Sequence, residues 1–356
     1  MSAAATSERE RERRAATPER PHKARFLFEF LDRTWMFTPP RAELPDPTPA
    51  DGPDPYGNPD PEWLRIDWRQ HLRTAEIDTA AYDRASSDPT PINYVEMGPT
   101  EDERGMPIVF VHGLGGCWQN WLENIPHFAR HHRVVALDLP GFGRSPLPSW
   151  TISIASHGRV LLDFCRELGL EGGAVIGNSM GGFVAAEAMI QSAEAFQRMV
   201  LVSAAGISHS RKLSGPTLTA ARMTAVVVPI LVRMREPSLR RPALRMRTLG
   251  NIFYNPLKLR TELLWEFVYN GPGTEGFLPA VSGLIGYDFL DRLGTVETPT
   301  LIVWGRADRI VPPRDSAGYG NRLRNSHAVI YDRTGHCAMA ERPVRFNREV
   351  ERFLAQ

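Results

Sequence analysis

The sequence Gly-Asn-Ser-Met-Gly-Gly at residues 177–182 is the strongest chemical signal in the chain. It follows an apolar, strand-like run at residues 174–176 and precedes a helical run at 183–189. Glycines two residues before and after a serine permit a sharp turn between strand and helix, because neighbouring chain passes too close there for a Cβ. The turn would hold the serine hydroxyl above the sheet, and the following helix would point backbone N–H groups, including that of Met180, toward developing negative charge. This context predicts that Ser179 is a nucleophile.

After about residue 64, strand-like segments alternate with helix-like segments. This alternation predicts the elements that position the serine. Some strand candidates, such as 108–111 and 301–304, are apolar without alternation, as expected when both faces of a sheet are covered. Strands alternating with helices predict an α/β fold with a mostly parallel, doubly wound sheet. We expect eight strands, the first two forming an antiparallel hairpin at one edge, at Ala75–Ile77, Ile92–Met97, Ile108–His112, Arg133–Leu137, Gly173–Ile176, Met199–Val202, Thr300–Trp304 and Ala328–Tyr331.

The same pattern divides the chain into three parts. Residues 63–206 and 291–356 form the predicted α/β core, and residues 207–290, which read as helical, form a predicted cap inserted after the sixth strand. Residues 1–62 are predicted to be a disordered, proline-rich extension that contains a short amphipathic helix at 25–37. Docking of that helix on the main domain is favoured over anchoring at a membrane, because acidic residues interrupt its apolar face.

With the serine motif in place, the chain resembles the α/β-hydrolase family over about residues 90 to 356. His112-Gly113-Leu114-Gly115-Gly116 is similar to the family's His-Gly loop. The resemblance implies that the backbone N–H groups of Leu114 and Met180 form an oxyanion hole, whereas His112 holds the loop by hydrogen bonds. Residues 138–145 also match a family signature, which we interpret as a turn without direct chemistry.

The resemblance also implies the remaining members of a catalytic triad. Family members carry the acid after the sixth or the seventh strand. After the sixth strand this chain has Ser-Ala-Ala-Gly at 203–206, without a carboxylate. After the seventh it has Asp308 in a close match to the family's acid loop, ahead of Asp315 and Asp332 as weaker candidates. His336 follows the last strand, which agrees with the family order of serine, acid and histidine.

The expected activity is that of a serine hydrolase. His336 would take the proton of Ser179 during attack, and Asp308 would orient the imidazole and stabilise the imidazolium. An acyl-enzyme would form and be hydrolysed by water. The substrate is expected to be a carboxylic ester, or a related acyl compound, of a small and largely apolar molecule. We expect no cofactor and no metal, since no clustered ligands are evident in the sequence.

A carbon–carbon bond hydrolase is the main alternative. The serine motif is similar to that of the meta-cleavage-product hydrolases, in which the Asn before the serine helps to bind substrate and a Trp often follows the histidine. Asn178 matches this pattern, but Cys337 stands where the Trp would be. A cofactor-free perhydrolase or haloperoxidase, and a catalytically silent ligand-binding relative, are further alternatives. Trp118 and Trp121, just past the His-Gly loop, are candidates for the pocket wall or for simple packing.

Composition limits the partners. The formal net charge of +1 gives no field that would attract nucleic acid, so a small-molecule substrate is the expected partner. The predicted cap is rich in Arg and Lys, which suits a solvated helix surface, an anionic substrate or contact with acidic lipid headgroups; peripheral membrane contact is the less favoured of these. The odd count of three cysteines, without metal-like spacing, favours a reducing compartment, and we expect the cytoplasm. The sequence sets no oligomeric state.

Overall fold

An eight-stranded sheet is the centre of the computed structural model, which describes residues 44–79, 82, 89–99, 105–208, 239–269 and 275–356. The strand order is β1-β2-β4-β3-β5-β6-β7-β8. β2 pairs antiparallel with both β1 and β4, and all other neighbours are parallel. The predicted α/β fold with a mostly parallel sheet is therefore confirmed. The strands are β1 (Leu72–Ile77), β2 (Thr90–Met97), β3 (Gly105–Val111), β4 (His132–Leu137), β5 (Gly173–Asn178), β6 (Phe196–Val202), β7 (Thr300–Gly305) and β8 (Ser326–Tyr331).

The central strands are apolar on both faces, as their sequences predicted. In β3, Val109 and Val111 belong to one hydrophobic cluster, whereas Ile108 and Phe110 belong to the cluster on the opposite face. Successive side chains of a strand point to opposite faces, so an uninterrupted apolar run feeds two cores at once. Every residue of β5 and of β7 is buried.

Helices cover both faces of the sheet. The α-helices of the described residues are α1 (Ile125–Phe128), α2 (Ile154–Glu167), α3 (Met180–Gln191), α4 (Pro242–Leu249), α5 (Thr261–Tyr269), α6 (Phe277–Leu284), α7 (Leu290–Leu293), α8 (Asp315–Gly320), α9 (Ala338–Glu341) and α10 (Pro343–Leu354). Helices α2 and α3 supply one cluster, and α1, α5 and α10 supply the other. None of the helices within the described ranges combines the length and the apolar character needed to cross a bilayer.

The described part of the segment between β6 and β7 consists of helices joined by turns and loops. It contains α4, α5, α6 and α7, and the described part has no strand. Two of its backbone groups reach loops of the core: the N–H of Gly276 donates to the carbonyl of Gly141 at 3.0 Å, and the carbonyl of Ile252 accepts from the N–H of His336 at 2.8 Å. Residues 209–238, which hold the most apolar part of the predicted cap, lie outside the described residues.

The proline-rich segment needs a correction. Residues 44–61, here called the strap, are extended but fixed to the core, so the prediction of a disordered tether is wrong for this part. Thr48 bonds twice to Ile330 of β8, through its N–H at 2.8 Å and its hydroxyl at 3.0 Å. Asp54 pairs with the buried Arg345 at 3.6 Å, and Asp51 pairs with Arg348 at 3.2 Å. The predicted helix at 25–37 lies outside the described residues.

Phe110 provides a test of this packing. Its ring is fully buried and lies 4.7 Å from the ring of Trp121 and 6.0 Å from that of Phe128, measured between centroids. Phe110→Ala should lower the free energy of unfolding by about 3–5 kcal/mol, because it leaves a cavity between closely packed rings. Leu64, which is 44% exposed, is the control, and Leu64→Ala should change that free energy by less than about 0.5 kcal/mol. Urea denaturation followed by circular dichroism measures both; equal losses would contradict the assigned core.

Candidate active site

Ser179 lies at the turn between β5 and α3 with a left-handed backbone. Its φ is +56° and its ψ is −119°, a combination that a non-glycine residue adopts only under constraint. β6 and the loop after it supply part of that constraint, because the Ser179 N–H donates to the carbonyl of Val202 at 2.9 Å and the Ser179 carbonyl accepts from Ala205 at 3.0 Å. These contacts fix the backbone of Ser179. The residue is 9% exposed, so it keeps a small accessible surface.

The glycines of the motif are needed because the chain is closely packed around this turn. A Cβ on Gly177 would overlap the carbonyl of Gly181, and a Cβ on Gly181 would overlap the carbonyl of Val111 at the end of β3. The amino terminus of α3 therefore lies directly against the central strand. This contact is the local reason that the serine sits at the carboxyl end of the sheet.

His336 and Asp308 form a buried pair. Nδ1 of His336 lies 2.8 Å from Oδ2 of Asp308, and the two residues are 6% and 3% exposed. Because a carboxylate only accepts, the imidazole donates from Nδ1, which leaves Nε2 as the basic nitrogen. Oδ1 of Asp308 accepts from the N–H groups of Ile310 at 2.8 Å and Val311 at 3.0 Å. Three hydrogen-bond donors thus fix the position of the Asp308 carboxyl group.

Asn178 joins the serine turn to the histidine loop. Its Nδ2 donates to the carbonyl of Val202 at 3.1 Å and to the carbonyl of His336 at 3.3 Å. The last residue of β5 therefore contacts the backbone of the histidine, which lies 158 positions further along the chain. The amide N–H groups are used for this bridge, so the prediction that Asn178 binds substrate finds no support in its contacts.

The predicted oxyanion residues lie next to the serine turn. A Cβ on Gly113 would stand 2.9 Å from the Cβ of Ser179, so the His-Gly loop passes directly against the serine. Leu114 follows in that loop and is half-buried, and Met180 is the first residue of α3. The first N–H groups of a helix have no partner within it, so that of Met180 can donate to a ligand. Their use as an oxyanion hole stays a prediction.

His112 and Asp138 hold the loops around the serine. Nε2 of His112 accepts from the N–H of Leu139 at 3.0 Å, so Nδ1 carries the proton and donates to the carbonyl of Gly113 at 2.7 Å. Burial lowers the pKa of His112 to about 4, which keeps the ring neutral at pH 7. Asp138 accepts from the N–H of Trp118 at 2.8 Å, and burial raises its pKa to about 6. These contacts agree with the structural roles expected for the two motifs.

The two predicted pocket tryptophans are placed differently. Trp121 is fully buried, and its ring lies 4.7 Å from Phe110 of β3 and 6.5 Å from Phe346 of α10. These are the contacts of a core residue, so packing is the better interpretation of Trp121. Trp118 is 5% exposed, and the centre of its ring lies 5.0 Å from that of Trp68, which precedes β1. A role for Trp118 at the pocket wall stays a prediction.

Sequence reasoning missed Glu341. This residue ends α9, five positions after His336, and it is fully buried. Its carboxyl accepts from the N–H of Gly335 at 2.9 Å, the N–H of Tyr254 at 2.8 Å and the hydroxyl of Tyr56 at 2.7 Å. Burial raises its pKa to about 7. No local pattern announces these contacts, since two of the three partners lie 87 and 285 positions away.

Across the described ranges, no group of three His, Cys, Asp or Glu side chains is arranged to hold a metal ion. Ser179 offers a hydroxyl, and His336, whose backbone is linked to Asn178, offers an imidazole oriented by Asp308. These are the kinds of group that perform nucleophilic substitution at a carbonyl carbon.

Comparison with known proteins agrees with this arrangement. Residues 108–349 match the model of the alpha/beta hydrolase family. A 2-hydroxy-6-oxononadienedioate/2-hydroxy-6-oxononatrienedioate hydrolase of Cupriavidus pinatubonensis is 30% identical over 259 residues, covering 69% of this chain and 86% of the relative. A 2-hydroxy-6-oxo-6-phenylhexa-2,4-dienoate hydrolase of Comamonas testosteroni is 28% identical, covering 74% of this chain and 91% of the relative.

Among solved structures, a thermophilic esterase from Thermogutta terrifontis superposes with a TM-score of 0.63. The match covers 80% of this chain and 98% of the esterase. Its sequence identity of 22% shows similarity of fold alone. The match over residues 108–349 spans β3 to α10 and includes the serine turn, the acid loop and the histidine loop, so the chain belongs to the alpha/beta hydrolase family.

Proposed function

We propose that the protein is a serine hydrolase that cleaves a carboxylic ester of a small, largely apolar molecule through an acyl-enzyme. The observation that carries the proposal is the 2.8 Å bond from His336 to Asp308, on a loop whose backbone is bonded to Asn178, the residue before a serine with a left-handed backbone. With Nδ1 bound to the acid, Nε2 is the nitrogen that takes the proton of Ser179 as its oxygen attacks the carbonyl. The buried Asp308 stabilises the resulting imidazolium.

The oxyanion formed in that step needs donors. The N–H groups of Leu114 and Met180 are the candidates, because the His-Gly loop and the start of α3 both border Ser179. Removal of one such donor typically raises the activation free energy by about 3–4 kcal/mol. Collapse of the tetrahedral intermediate releases the alcohol, which receives its proton from the imidazolium. Water, activated by the same histidine, then hydrolyses the acyl-enzyme.

The segment 207–290 supports the proposal as a cap over this site. Its described residues contact two loops at the carboxyl ends of the strands, through Ile252 at the histidine loop and Gly276 at the turn after β4. Such a segment excludes water and limits the size of the substrate. The three cysteines are unpaired and buried, which supports the expectation of a reducing compartment such as the cytoplasm.

Hydrolysis of a carbon–carbon bond is the second candidate, since two relatives are named as hydrolases of ring-opened dienoates. Two features of this chain favour the ester instead. The amide of Asn178 is bonded to backbone carbonyls, and the residue after His336 is a buried cysteine where the meta-cleavage-product hydrolases often have a Trp. The residue after the histidine thus departs from that pattern, and the side-chain nitrogen of the residue before the nucleophile is already bonded.

Substitutions at the three catalytic positions test the mechanism. Ser179→Ala should abolish labelling by a fluorophosphonate probe, and His336→Ala should lower kcat by about 10⁶-fold. Asp308→Asn should lower kcat by about 10⁴-fold, because the imidazole loses the correct tautomer. Hydrolysis of p-nitrophenyl butyrate and circular dichroism measure activity and folding.

Ser203 is a matched control for the nucleophile. It also has a positive φ, +47°, at the end of the neighbouring β6, and its buried hydroxyl has no hydrogen-bond partner among the described residues. Ser203→Ala should keep wild-type labelling. Labelling that persists in Ser179→Ala would contradict the mechanism, because it would show a different nucleophile. A folded wild type that the probe never labels would favour a ligand-binding protein.

A substrate panel separates the two chemistries. We expect kcat/KM for short-chain p-nitrophenyl esters to exceed that for 2-hydroxy-6-oxo-6-phenylhexa-2,4-dienoate, because the Nδ2 of Asn178 is bonded to two backbone carbonyls and not available to the dienoate. Loss of absorbance by the dienoate and release of p-nitrophenolate are both followed optically. Ser179→Ala is the blank in each assay. Faster turnover of the dienoate than of any ester would contradict the ester assignment and establish the second candidate.

A further inference from the structure

The strap, the cap and the histidine loop meet at one buried carboxyl. Glu341 accepts from Tyr56 of the strap, from Tyr254 of the cap segment and from Gly335 of the histidine loop, at 2.7, 2.8 and 2.9 Å. We call these four residues the junction. The three donors approach from parts of the chain that are far apart in sequence, and the carboxyl that receives them is completely buried.

The Tyr56 hydroxyl both donates and accepts a hydrogen bond at the junction. It donates to Oε2 of Glu341 at 2.7 Å and accepts from the N–H of Asn255 at 2.7 Å. The guanidinium of Arg342 lies 4.9 Å from the centre of the Tyr56 ring, so the ring is held by a cation–π contact as well. The N–H of the next strap residue, Gly57, donates to the carbonyl of Glu341 at 2.8 Å. The hydroxyl is therefore fixed in place from both sides.

The junction holds the backbone that carries His336. Glu341 binds the N–H of Gly335, immediately before the histidine, and the cap carbonyl of Ile252 accepts from the N–H of His336 at 2.8 Å. Ile252 lies three residues before Asn255, which is bonded to Tyr56. The Tyr56 hydroxyl is thus connected to both sides of His336, through Glu341 and through residues 252–255.

We propose that Tyr56 is a positioning residue, which through Glu341 and residues 252–255 orients the imidazole of His336 for proton transfer. This role rests on the proposed function, in which His336 is the base. An imidazole must lie within about 0.5 Å of its productive geometry, and mispositioning by about 1 Å lowers rates by about 100-fold. A contact that fixes the loop from outside the catalytic triad can therefore control the rate.

Several other strap contacts are made to β8 and α10 instead. Thr48 bonds to Ile330 of β8, and Asp51 and Asp54 pair with arginines of α10. Tyr331, at the end of β8, offers a matched comparison because its buried hydroxyl donates to Glu349 of α10 at 2.6 Å. Both tyrosines make a tyrosine–glutamate bond of nearly equal length next to an arginine, but only Tyr56 has Glu341 as its partner.

Tyr56→Phe tests the role, with Tyr331→Phe as the control. Tyr56→Phe retains the ring and removes the hydroxyl, so kcat for p-nitrophenyl butyrate should fall about tenfold while KM stays within about twofold. The rate constant of fluorophosphonate labelling should fall in parallel. The downfield proton NMR signal of His336 Nδ1–H should shift or broaden, because the imidazole no longer holds one orientation against Asp308. Tyr331→Phe should retain wild-type kcat and the wild-type signal.

Two results would overturn the proposal. One is a Tyr56→Phe protein with the kcat and the NMR signal of the wild type. The other is an equal loss of kcat in both tyrosine variants, since that would reflect a general loss of stability. Failure of the proposed function gives a different result, in which the fluorophosphonate does not label the wild type at all. The NMR comparison of the two variants then still decides whether Tyr56 orients His336.

Discussion

The left-handed backbone of Ser179 is the constraint on which the rest of the site depends. A φ of +56° at a residue with a Cβ is held only by surrounding contacts. These contacts come from β6 through Val202 and from the loop after it through Ala205. Close approach of α3 to β3 then requires glycine at position 181. The backbone of Ser179 is thus positioned by main-chain packing before any other side chain contributes.

Buried carboxyls organise the loops around this turn, and each gathers donors from separate parts of the chain. Asp138 accepts from Trp118 after the His-Gly loop and from Asn93 of β2, at 2.8 and 2.7 Å. Glu341 performs the corresponding role on the histidine side. Burying a carboxyl group without hydrogen-bond donors is strongly unfavourable. Each of these carboxyl groups therefore stabilises the loop conformations that supply its donors. The serine side and the histidine side therefore have separate supports, which Asn178 connects.

Local patterns were sufficient to predict the sheet and the positions of Ser179, Asp308 and His336, because each follows a strand whose apolar run is visible in the sequence. They were insufficient for Trp121, since closeness in sequence to the His-Gly loop does not reveal which face of the sheet a side chain meets. The strap was misjudged for a related reason. Its prolines exclude regular structure, but the attachment of residues 44–61 depends on partners such as Glu341, 285 positions from Tyr56.

The family match covers the candidate site but not the strap, which adds one further contact to the histidine loop through Glu341. Glu341, Gly335 and Tyr254 lie within residues 108–349, whereas Tyr56 lies outside that range. Burial raises the pKa of Glu341, and the Tyr56 hydroxyl opposes this rise because it donates to the charged form. An ionised carboxylate accepts more strongly from the N–H of Gly335 than a neutral carboxyl does. The hydroxyl of Tyr56 therefore strengthens the hold on the histidine loop through charge as well as through geometry.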